Sequence, residues 1–153
     1  MNIFYLDEVP KLAAQAHCDK HVVKMILETA QIICTVAHQH GAPADYRPTH
    51  RNHPCVRWAG QSRANLNFLY SLGLALGSEY TFRYGKTHKS LRPMTSAVTS
   101  VYGLLPTAPF TRPPQCMPEV YRQSDTVAAY RDYYRTEKAP ILTYTRRPRP
   151  EWL

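Results

Sequence analysis

The segment His17-Cys18-Asp19-Lys20-His21-Val22-Val23-Lys24-Met25 brings His17, Asp19, Lys20, His21 and Lys24 to the start of one helical pattern. Val22, Val23, Ile26, Leu27, Ala30, Ile33, Cys34 and Ala37 then recur three and four apart, the period of a helix with one buried face. A second stripe at the same spacing holds His17, Lys20 or His21, Lys24, Glu28 and Gln31. Imidazoles, amines and a carboxylate on one edge suit amine chemistry. Crowding by other cations disfavours an ammonium, and a neutral amine attacks a sugar C1′ or a carbonyl. Lys20 and Lys24 are the candidate nucleophiles, with Asp19, Glu28 and His21 as proton carriers. The plainer alternative is a solvated face with a simple i, i+4 ion pair between Lys24 and Glu28.

Three further clusters are rich in functional side chains. Thr49-His50-Arg51-Asn52-His53-Pro54 delivers His50, Arg51, Asn52 and His53 to a predicted helix start, where free N–H groups favour anions. His53 is equally suited to capping that helix. Glu79 to His88 interleaves aromatic and basic residues, with Arg83, Tyr84, Lys86 and His88 as candidate phosphate or base contacts. The same cations also suit the C-terminal dipole of their own helix. The tail, Arg146-Arg147-Pro148-Arg149-Pro150-Glu151-Trp152, is the fourth cluster. With His17 from the first stripe, these groups define a phosphate- or nucleotide-binding set.

A metal is the competing use of histidine. His17 and His21 at i, i+4 have the spacing to share a zinc with His50, His53 or His88. Between them stand Cys18, Asp19 and Lys20 rather than the HExxH pattern, and the Lys20 ammonium opposes a dication. The four cysteines, Cys18, Cys34, Cys55 and Cys116, show neither CxxC nor zinc-ribbon spacing and read as reduced thiols of a cytoplasmic protein. The expectation is no metal and no cofactor.

The elements that must hold these groups are mainly helical. Met1 to Leu6 reads as a short strand or an extended anchor, and Pro10 suits the first turn of a helix over Lys11 to Ala16. Asp19 caps a long helix that ends near His40, with Gly41 just beyond. A loop to His53 follows. Pro54 opens a helix to about Tyr84, with Val56, Ala59, Leu66, Leu69, Tyr70, Gly73, Leu76 and Tyr80 inward, and Gly73 and Gly77 allow another helix close approach. A further helix spans about His88 to Val101, with Pro93 restricting its start. Gly103 to Pro118 contains Pro106, Pro109, Pro113, Pro114 and Pro118 and reads as a loop packed across the surface. Asp125 caps a last helix to about Glu137, with Val127, Tyr130 and Tyr134 inward. Trp58 is expected in the core, and Trp152 is expected to pin the tail. The fold class is a compact, mainly α single-domain bundle over residues 1–153, with an extended start and a Pro-rich loop.

The formal charge of +8 points to an anionic partner, either nucleic acid or a phosphate-bearing small nucleotide. No apolar run approaches the roughly 20 residues that span a bilayer, and Asp7 and Glu8 stand where a secretory leader carries basic residues. No membrane partner is expected. Oligomeric state is not encoded in any recognisable pattern.

The run Asp19 to Gln31, Thr49-His50-Arg51-Asn52-His53-Pro54 and Glu79 to Lys86 together resemble a group of small phage-encoded proteins, over nearly the whole chain. That group is distantly similar to the phage pyrimidine-dimer DNA glycosylases of the endonuclease V type. Glu137-Lys138 and Arg149-Pro150-Glu151-Trp152 resemble that family's late Glu-Lys and Arg-Pro-x-Trp elements. The resemblance implies a compact helical protein in the host cytoplasm. It also implies an N-terminal α-amine as nucleophile, a glutamate on the first long helix, and arginines that hold kinked DNA. In chain order the family's Arg-Glu pair falls on His21-Val22, and Asn2 is a residue that usually retains the initiator methionine. The expected site therefore shifts to Lys20, Lys24 and Glu28. The leading expectation is a DNA N-glycosylase/lyase-like or base-modifying enzyme. A small-nucleotide binding or cleaving protein of phage counter-defence and a non-catalytic basic DNA-binding accessory protein are the alternatives.

Overall fold

Twenty-one residues from Asp19 to Gln39 form the central helix, α2, of a computed structural model that describes residues 1–153. Around it stand α1 (Pro10–Ala16), α3 (Pro54–Gly60), α4 (Arg63–Tyr84), α5 (Leu91–Val101) and α6 (Thr126–Glu137), and there is no strand. The mainly helical single-domain expectation holds. Helix α2 packs against α3, α4 and α5, and α1 packs against α4. No helix is long and apolar enough to cross a membrane.

Ile3, Phe4, Tyr5 and Leu6 are buried in extended backbone that pairs with no neighbouring strand. These four residues thread along α2 and α6 as an anchor. The expected single buried face of α2 is corrected. Val23 and Leu27 are exposed, whereas His17, His21 and Glu28, placed on an open edge by spacing, are buried. The reason is packing on a second side of the helix, since Phe4 stacks on His21 and Tyr134 meets it edge-on.

Two boundaries also differ from the periodic pattern. The helix expected from Pro54 to Tyr84 breaks at Gln61-Ser62, where Ser62 Oγ accepts from Asn65 N–H at 3.1 Å and starts α4 anew. Asp19 does not cap α2. It occupies the first helical position, and its carboxylate accepts from the N–H of Thr145 in the tail. Asp125 does cap α6, accepting from Val127 and Ala128 N–H at 2.9 and 3.2 Å.

Gly73 and Gly77 provide the close approach that their spacing suggests. A methyl group on Gly73 would lie 2.4 Å from Met94 Sδ and 2.9 Å from Thr29 Cγ2, and one on Gly77 would lie 2.6 Å from Leu91. Helix α5 sits against that stripe. The Pro-rich segment is pinned across the surface as expected. Arg63 donates to the carbonyls of Leu105 and Gly103, Trp58 Nε1 donates to Thr111 O at 3.0 Å, and Asn65 Oδ1 accepts from Thr111 N–H at 2.9 Å. Its far end brings Cys116 to the chain start, where Asn2 Nδ2 donates to Cys116 O at 3.0 Å.

Candidate functional site: an amine–carboxylate cavity on the central helix

Glu28 is held on α2 with only 11 % of its side chain exposed, and two amines flank it. The α-amine of Met1 lies 3.7 Å from Oε2, and Lys24 Nζ, one turn earlier, lies 3.5 Å from Oε1. The backbone N–H of Asn2 donates to Oε2 at 3.0 Å, fixing the carboxylate toward the extended segment. These groups line a cavity of about 280 Å³ together with Phe4, His21, Tyr133 and Lys138. Phe4 stacks on His21 with ring centres 4.4 Å apart, and lies nearly parallel to Tyr133 at 6.3 Å. Lys138 Nζ sits 4.7 Å from the centre of the Tyr133 ring. The cavity is therefore an aromatic slot with cations at its edge and one carboxylate in its wall.

His21 enters this cavity as a neutral group. Burial, then His17, Lys138 and Lys24, lower its pKa to about 3. Tyr134 Oη accepts from Cys18 N–H at 2.9 Å and lies 2.9 Å from His21 Nδ1, which fixes the ring in place. Uncharged at neutral pH, His21 is a hydrogen-bonding group in the cavity wall, which corrects its expected role as a proton carrier.

His17 is a core residue and not a phosphate contact. It is fully buried, Nδ1 donates to Ala13 O at 2.6 Å, and Nε2 has no partner. Burial lowers its pKa to about 4, partly offset by the Ala13 hydrogen bond, with Arg83 adding to the drop.

Asp19 and Arg83 belong to a different cluster. The Arg83 side chain has no exposed surface, and it donates to Glu79 Oε1 at 2.8 Å, Asp19 Oδ1 at 2.9 Å and Gln15 O at 3.2 Å. Arg147 closes the network with a bidentate pair to Glu79 at 2.8 and 2.9 Å. Burial pushes Asp19 upward, but hydrogen bonds from Thr145 and Arg83 outweigh it and hold the carboxyl below the usual range. Each nitrogen of the Arg83 guanidinium is engaged and the side chain has no exposed surface, so it welds α1, α2 and α4 to the tail and is closed to a phosphate arriving from solvent. Tyr84 borders this network, its pKa raised by burial and by Asp19.

The remaining residues scatter. Lys20 and Lys86 are exposed and line neither this cavity nor the groove beside it. His88 is half-buried, accepts from Ser90 N–H through Nδ1 and meets Tyr80 edge-on. His50, Arg51 and Asn52 are exposed, with His50 at φ 49° and Nδ1 2.7 Å from Thr49 Oγ1. His53 Nδ1 accepts from Cys55 N–H at 3.2 Å, so it does cap α3. Its ring also lines a larger open groove of about 850 Å³, with Arg112, Arg122, Gln115 and Cys116. Cys116 borders both cavities and joins them. Of the expected set, Lys24, Glu28 and His21 converge, His53 adjoins them, and Lys20, Asp19, Arg83, Lys86 and His88 lie elsewhere.

Residues outside the expected site set complete it: Met1, Asn2, Phe4, Cys116, Tyr133 and Lys138. The resemblance to enzymes with an N-terminal amine nucleophile pointed to the chain start and its late Glu-Lys element to Lys138, whereas nothing pointed to Tyr133. Comparison with family models, with curated proteins and with solved structures gave no match to this chain.

Proposed function

We propose that this chain is an amine-nucleophile enzyme acting on nucleic acid, of the N-glycosylase/lyase kind, with Glu28 as its carboxylate. One observation carries the reading: a nearly buried glutamate flanked by two amines in the wall of an aromatic cavity. The α-amine takes the part of nucleophile where Met1 begins the chain in the cell, since Met1 and Asn2 are held against the carboxylate while the Lys24 side chain is 67 % exposed. Where it does not, Lys24 takes the part.

In this reaction Glu28 accepts the ammonium proton and the freed amine attacks C1′ of the target nucleotide. The glycosidic C1′–N bond breaks, and the departing base takes the proton from Glu28. The nitrogen then loses a second proton to the ring oxygen as the C1′–O4′ bond opens, leaving an imine that water hydrolyses in turnover. Phe4 and Tyr133 offer faces for a base withdrawn from its stack, and the neutral His21 ring offers a hydrogen-bonding partner to its polar edge. Lys138 at the cavity supplies positive charge for phosphates, and Arg112 and Arg122 along the adjoining groove do so where a phosphate displaces their exposed partners Glu8 and Glu119.

Borohydride reduction in the presence of duplex DNA carrying an abasic site tests the chemistry. The expected outcome is a covalent protein–DNA adduct whose peptide map places it on Met1 or Lys24, and which E28Q reduces at least tenfold while keeping the circular dichroism spectrum. No adduct with the wild-type chain, or an adduct on surface lysines indifferent to E28Q, would refute the proposal.

The open groove favours a second reading, a site for a free small nucleotide. Its basic, polar walls at His53, Arg112 and Arg122 suit a phosphate-bearing ligand. That reading requires saturable mononucleotide binding that duplex DNA does not displace.

A further inference from the structure

We infer that His53, Cys55 and Cys116 form a three-ligand site for a thiophilic divalent cation, Zn²⁺, between the amine–carboxylate cavity and the basic groove. The donor atoms of the three residues lie within 4.8 Å of one another. The two sulfurs are 3.6 Å apart. A disulfide would require about 2.05 Å. Two thiolates on one tetrahedral zinc, each at about 2.3 Å, stand about 3.8 Å apart, so the two thiols, now in hydrogen-bond contact at 3.6 Å, would take up a shared metal with little movement. An imidazole nitrogen and two sulfurs are a common zinc donor set, and their softness selects against magnesium and calcium.

The fold brings the three ligands together, and a cation would take the single lone pair of the neutral His53 ring in exchange for its cap on the Cys55 N–H. His53 and Cys55 flank Pro54 at the first turn of α3, so their side chains leave the same helix end. Cys116 arrives on the Pro-rich segment, where its N–H donates to Tyr130 Oη at 3.2 Å and its carbonyl accepts from Asn2 Nδ2 at 3.0 Å. The Tyr130 hydroxyl in turn contacts Pro114 O at 2.6 Å, which rigidifies the approach of that segment. The other two cysteines are excluded by place. Cys34 is buried against Pro93 O, and Cys18 is buried at the start of α2.

Three protein ligands leave a fourth position, the pattern of zinc sites that bind water or a ligand and not of closed structural sites. Cys116 and His53 both line the groove, so that position is reachable by solvent and by an anionic ligand gathered by Arg112 and Arg122. Two thiolates neutralise the dication, which lets it coexist with the nearby cations. This inference does not draw on the amine chemistry and stands or falls separately from it.

The test is a titration of the full chain, reduced and freed of metal by a chelator, with Co²⁺ and then Zn²⁺. The expected result is one Co²⁺ per chain, with thiolate-to-cobalt charge transfer and the intense visible bands of a four-coordinate ion, both bleached by Zn²⁺. C55S, C116S and H53Q should each weaken binding at least about 100-fold, more than loss of an outer-sphere partner costs. H50Q, three residues away, should bind as the wild type does. In the wild-type chain Zn²⁺ should also slow alkylation of Cys55 and Cys116, mapped by peptide mass, which decides the matter even where a cysteine variant does not fold. Absence of the charge-transfer band, its survival in C55S and C116S, or alkylation unaffected by Zn²⁺ would each overturn the inference.

Discussion

Lowering the pH from 7.5 to 5 should destabilise this protein by about 4 kcal/mol through two histidines alone. His17 titrates at about 4 and His21 at about 3 in the folded chain, against about 6.5 when unfolded. Both are depressed, so below pH 6.5 the unfolded chain binds more protons and acid favours unfolding. Each residue's effect is absent above about pH 7 and grows as the pH falls toward its folded value. At pH 5 the unfolded imidazoles are nearly all charged while the folded ones stay neutral, and the linkage relation gives about 2 kcal/mol for each. Against a typical total of about 5–15 kcal/mol, the sum is a large share. Asp19 and Glu79, whose carboxyls lie below the usual range, lose their contributions only at more acidic pH, so the window from 7.5 to 5 isolates histidine. His53 and His88, also lowered by burial, act in the same direction. Urea midpoints followed by circular dichroism at pH 7.5, 6 and 5 give the measurement. H17L should retain roughly half of the acid loss. A wild-type stability flat across this range, or a loss undiminished in H17L, would refute the assignment of buried neutral imidazoles.

Two further perturbations test the framework that holds the site. R83M removes a guanidinium with no exposed surface, leaving Glu79 to Arg147 and Asp19 to Thr145, and should cost about 3 kcal/mol in urea unfolding, the low end for a broken buried pair; a change under 1 kcal/mol would return Arg83 to the surface as a free cation. G73A should destabilise by about 1 kcal/mol although alanine favours a helix, because its methyl meets Met94 and Thr29 inside 3 Å. G103A, with open space around it, should be neutral or mildly stabilising, and equal effects at the two positions would contradict the packing described for α5.

Local signals carried the fold well. Pro10 and Pro54 stand at the first positions of α1 and α3, Gly85 follows α4 with φ 66°, and Asp125 caps α6, each as its backbone chemistry dictates. The break between α3 and α4 escaped because Val56, Ala59, Leu66 and Leu69 keep a helical phase across it. Ser62 was the available sign, a side chain able to cap in the middle of an apolar pattern. Trp58 is in the core as expected. Trp152 does fasten the tail, with Arg131 5.1 Å over its ring and its carbonyl accepting from Arg135.

The site was half legible, for a physical reason. A helical period reports which residues share a face and says nothing of how many faces are covered. Helix α2 is covered on two, by the α3–α5 layer and by the extended start with α6. Polar groups assigned to an open edge were thereby enclosed, and enclosure forces each to find a partner or to face a cavity. Asp19 found Arg83 and Thr145, and His17 found Ala13 O with one ring nitrogen. Lys20 stayed in water, and Lys24, itself exposed, reaches the cavity edge through its pair with Glu28. Of the enclosed groups, His21 and Glu28 kept a polar group turned to a space that a ligand can enter. What Glu28 meets there comes from residues 26 and 27 positions earlier in the chain, and the Cys55–Cys116 pair spans 61 positions, distances at which spacing holds no information. The candidate site on this scaffold thus rests on polar residues of α2 that the second packing layer encloses beside a cavity, Glu28 held by Asn2, Met1 and Lys24 and His21 by Tyr134.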